Sequence, residues 1–80
     1  MIQKYLIEFT LHVHGMPVEK IKSSLAEFGE HAQVQVSEDA GERGKDLMIS
    51  IEAEDPTMIF DVCAQFGRIK SAKVNEQGRG

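Results

Sequence analysis

This 80-residue chain is predicted to fold as an α+β sandwich of βαββαβ order. Its four-stranded antiparallel sheet would run in the order 4-1-3-2, with two helices on one face. Three observations carry the prediction. The same helix ending occurs twice, as Leu25-Ala26-Glu27-Phe28-Gly29 and as Cys63-Ala64-Gln65-Phe66-Gly67, 38 positions apart. At that offset Ile21 falls on Ile59, Val36 on Val74 and Glu38 on Glu76. Strand-like alternation keeps the same phase, with Phe9, Leu11 and Val13 falling on Leu47, Ile49 and Ile51. Two strand–helix–strand halves of one plan account for all three.

The first strand is read as Tyr5 to Val13, because Ile7, Phe9, Leu11 and Val13 alternate with Leu6, Glu8, Thr10 and His12. His14-Gly15-Met16-Pro17 turns the chain into the first helix, with Pro17 suited to its first position. Val18, Ile21, Leu25 and Phe28 then recur at helical spacing, and Gly29 is expected to stop the helix in left-handed backbone. The second strand is read as His31 to Ser37, with Val34 and Val36 inward. Glu38 to Asp46 has no apolar residue except Ala40 and reads as a long, mobile hairpin loop. Leu47 to Ala53 makes the third strand. Asp55 and Pro56 open the second helix as cap and first-position proline. The fourth strand is read as Ile69 to Val74. Residues 1–76 form the single domain, and 77–80 a frayed tail.

Composition narrows the function. Acidic residues number 13 against nine Lys and Arg, a net charge of −4, which argues against nucleic-acid and anionic-membrane partners. The open sheet face would show Thr10, His12, Met48 and Ser50 on its central strands, where RNA binding needs stacking aromatics. A single cysteine, Cys63, excludes an internal disulfide and reads as a small core residue. No apolar run approaches the ~20 residues of a membrane span, and no secretory leader is evident. A cytoplasmic protein is expected, with no cofactor implied.

The fold read above is that of ferredoxin-like modules, and two families of that shape are resembled. Val13-His14-Gly15-Met16 resembles the turn that opens the metal loop of heavy-metal-associated domains. Their two thiolates would fall on Val18 and Ile21, so the resemblance implies the scaffold without that metal chemistry. The ending Leu25 to Gly29, with Gly15 at the preceding turn, resembles ACT-type regulatory domains. That resemblance implies amino-acid binding near the turn at a dimer interface, although the usual acidic–proline–glycine turn is replaced by His14 to Pro17. Acylphosphatases share the fold, but no arginine stands between His14 and Glu19 to hold a phosphate.

The residues themselves point to one end of the sheet. His12 and His14, two apart on a strand, project to one side about 7 Å apart at Cα, and such a pair can ligate a divalent cation. His14, Gly15 and Met16 form the turn expected to meet a small ligand. Met58 and Phe60 on the second helix, with Lys70 and Lys73 on the last strand, are the residues expected at an interface in a homo-oligomer. The first expectation is a non-catalytic regulatory module binding a small ligand or a protein partner. The alternative is a divalent-metal-binding module built on His12 and His14, and the third an acylphosphatase-like hydrolase.

Overall fold

The computed structural model describes residues 3–39 and 41–77. Its elements are β1 (Lys4–Val13), α1 (Val18–Phe28), β2 (Glu30–Asp39), β3 (Lys45–Ala53), α2 (Pro56–Ala64) and β4 (Gly67–Gln77), with a single 3-10 turn at Gly41–Arg43. The strands form one antiparallel sheet in the order β2-β3-β1-β4. This is the predicted architecture.

Alternation of side chains along the central strands makes the core. Ile7, Phe9, Leu11 and Val13 of β1 are buried beside Leu47, Ile49, Ile51 and Ala53 of β3. Ile21 and Leu25 of α1 cover them, joined by Ile59 and Cys63 of α2. Phe60 also contributes, its ring edge-on to Phe9 at 5.6 Å. Asp55 caps α2 by accepting the backbone N–H groups of Thr57 (3.0 Å) and Met58 (3.3 Å), which the sequence foretold.

Several local expectations are corrected. Pro17 is the residue before α1 rather than its first residue: its backbone is extended, and its carbonyl accepts from Lys20 and Ile21. Gly29 is not left-handed but extended, at φ −161°. A Cβ there would stand 2.7 Å from the Glu52 carbonyl oxygen and from the Ile51 side chain. Close approach to β3, rather than a helix stop, is what asks for glycine. The long hairpin loop does not exist either. β2 runs on to Asp39 and β3 begins at Lys45, with Glu38 opposite Asp46 and Asp39 opposite Lys45. The last strand extends to Gln77; residues 78–80 of the expected tail, like Ala40 of the expected loop, lie outside the described residues.

Length explains why polar residues pair there. Strands of nine to eleven residues span about 30–36 Å, whereas the helices, of eleven and nine residues, reach only about 14–16 Å. The sheet therefore projects past the helix layer, and its overhang needs no apolar residues. Val36, expected to be inward, stands on edge strand β2 and is 50% exposed.

Candidate functional site

At the end of the sheet next to the β2–β3 hairpin, four polar side chains from three strands and the first turn join into one chain of contacts. His12 of β1 stands directly opposite Asp46 of β3. Its Nδ1–H donates to Asp46 Oδ1 at 2.6 Å. Lys70 of β4 reaches across β1 and donates its Nζ to Asp46 Oδ2 at 3.0 Å. On the other side of the ring, His12 Nε2 lies 3.2 Å from His14 Nε2, and the two rings meet edge to face.

The hydrogen-bond pattern settles the tautomer of His12. A carboxylate can only accept, so Nδ1 carries the hydrogen, and it is Nε2 that holds the lone pair whenever the ring is uncharged. The His12 imidazole and then the Lys70 ammonium, both bonded to Asp46, hold its carboxyl below the usual carboxylate range. Asp46 therefore stays ionised at neutral pH and keeps the ring oriented.

Backbone packs this end tightly. Gly44 is buried at φ +96°, and a Cβ there would stand 2.4 Å from the Val13 carbonyl oxygen and 3.1 Å from both His12 Nε2 and His14 Cε1. The hairpin thus closes directly over the two imidazoles. Only glycine permits that closure.

The facing Nε2 atoms match a chelating bite. Two nitrogens held 2.0–2.1 Å from a tetrahedral zinc are separated by roughly 3.3 Å. Asp46 supplies the outer partner that metal-bound histidines usually have on their second ring nitrogen. It backs His12 from behind and does not itself face the bite. Among the described residues no group of three or more His, Cys, Asp or Glu gathers as a complete ligand set. Cys63 is in the core on the opposite sheet face, its thiol pushed up to about 11 by desolvation.

The other sequence-derived candidates scatter. Gly15 holds φ +65° in the open, with nothing within 4 Å of a built Cβ, and Met16 packs against the core edge. Among the four residues expected at an interface, Lys70 belongs to the Asp46 cluster and Phe60 to the core. Lys73 lines a shallow trough of about 430 Å³ on the open sheet face, with Glu8, Thr10, Gln33, Gln35 and Met48. Met58 is exposed at the far end of the molecule, beside Phe28, Glu27 and Glu54. His31, the third histidine, lies 3.2 Å from Glu52.

Sequence reasoning missed Asp46, Gly44 and Arg68. Asp46 had been read as loop, yet it falls opposite His12 once the β1–β3 ladder is extended past the last apolar residue. No family model, curated protein or solved structure matches this chain at a significant level. No helix among the described residues is long and apolar enough to cross a membrane.

Proposed function

We propose that the chain is a non-catalytic binding module whose small ligand is a divalent late first-row transition cation, held by the Nε2 atoms of His12 and His14. One observation carries this reading: the two nitrogens converge at 3.2 Å while Asp46 secures His12 from its far side. Imidazole nitrogens suit zinc, copper and nickel. With two protein ligands the ion is held at an edge and keeps open positions, an arrangement suited to carrying or sensing a cation rather than building it into the fold.

Calorimetric titration of untagged protein with Ni²⁺, Cu²⁺ and Zn²⁺ tests the reading. The expected result is one ion per chain, copper tightest, with His12→Ala and His14→Ala each severely weakened. Asp46→Asn is expected to bind about 10- to 100-fold more weakly. Affinity unchanged in the double variant His12→Ala/His14→Ala would refute the proposal.

A further inference from the structure

We infer that the cation at His12 and His14 is completed by a small oxyanion, a carboxylate or a phosphate, which Arg68 clasps from the wall of the same recess. The inference rests on the metal reading above and names the co-ligand of that site.

The recess, of about 370 Å³, is lined by His12, His14, Phe66, Gly67 and Arg68. Its lining offers an incoming cation the two imidazoles and no carboxylate, so the remaining coordination positions must be filled from outside the chain. Arg68 is the one permanently charged group in that lining. It sits directly opposite His12 in the β1–β4 ladder and is exposed. Among the described residues it makes no ion pair within 4 Å, whereas Lys70 is already engaged by Asp46.

Backbone geometry brings Arg68 there. Gly67, immediately before it, lies so close to β1 that a Cβ would stand 2.1 Å from the His12 carbonyl oxygen. The start of β4 is thereby drawn against the residue that carries the first ligand.

Electrostatics then selects the occupant. A dication and a guanidinium sharing one recess repel each other, and an oxyanion that coordinates the first while accepting a forked pair of hydrogen bonds from the second relieves the repulsion. Cation and anion binding are therefore coupled. By linkage, each must raise the affinity of the other by the same factor.

The test uses untagged protein loaded with Co²⁺, whose visible spectrum reports its ligand set, titrated separately with acetate and with inorganic phosphate. A saturable spectral change is expected, together with tighter Co²⁺ binding in the presence of the active anion. A response to acetate identifies a carboxylate site, and a response to phosphate a phosphate site. Arg68→Gln is expected to weaken the anion about tenfold, the scale of hydrogen bonds to a charged group, without weakening Co²⁺ binding in anion-free buffer. Arg68→Lys, which keeps the charge but loses the fork, is expected to fall between. A cobalt spectrum indifferent to both anions, or equally responsive in Arg68→Gln, overturns this inference alone. Two chains per cobalt ion in sedimentation would also overturn it, because a second copy would then fill the open positions. Failure to take up cobalt at all overturns the metal reading and the inference with it.

Discussion

Gly67 runs so close to β1 that a Cβ on it would stand 2.1 Å from the carbonyl oxygen of His12. Any side chain at this position must push β4 away from the central strand, disturbing both the ladder and the placement of Arg68. Gly15 presents the opposite case, with left-handed backbone at φ +65° and open space around it. Gly67→Ala is therefore expected to lose about 3 kcal/mol or more, at the high end of single substitutions. Gly15→Ala should cost only about 1 kcal/mol of backbone strain. Urea unfolding monitored by circular dichroism measures both, and equal losses would contradict the close-approach argument.

The ion pairing of Asp46 sets a second expectation. Its carboxyl lies below the ordinary value in the fold because His12 and Lys70 donate to it, and it returns to about 3.9 when unfolded. A depressed folded value contributes stability that is present above the unfolded value and lost as pH falls through the folded one. Wild-type protein should thus lose more stability than Asp46→Asn on acidification below about pH 4. Urea midpoints collected from pH 6 down to 2 check this, and parallel curves for the two proteins would refute it.

Cys63 supplies a third. Its side chain is fully buried, and desolvation pushes its thiol up to about 11. The thiolate is the reactive form, so at pH 8 the folded protein should resist a disulfide reagent. Labelling should proceed only as fast as the chain opens, and urea should accelerate it. Stability should also decline as pH rises from the ordinary thiol range, about 8.5, through the folded value. Prompt labelling of folded protein would count against the burial of this group.

How far the fold could be read follows from where its information lies. Alternation in Tyr5–Val13 and Leu47–Ala53, the Asp55-Pro56 start and the repeated Ala-x-Phe-Gly endings all report burial against the helix layer, which composition records directly. The hairpin end escaped because Glu38, Asp39, Lys45 and Asp46 continue the ladder without adding an apolar side chain that hydropathy can register. The histidine pair was legible from its spacing. Its support was not, because Asp46, Gly44 and Lys70 meet His12 through strand register and a tight hairpin rather than through proximity in the chain. Gly29 follows the last residue of α1 as read, but the need for glycine was hidden for a similar reason: what crowds it is the Glu52 carbonyl on another strand, as the His12 carbonyl crowds Gly67.

The two outer strands share one further trait. His31 in β2 and Ser71 in β4 hold left-handed backbone, at φ 54° and 53°, where the ladders to β3 and β1 skip a residue. Each outer rim is therefore kinked part-way along. An extended chain approaching from solvent meets short, misaligned runs of free amides in place of an uninterrupted template. Replacing both residues so as to straighten the rims would remove this guard against zippering into fibres, although neither belongs to the His12–Asp46–Lys70 cluster.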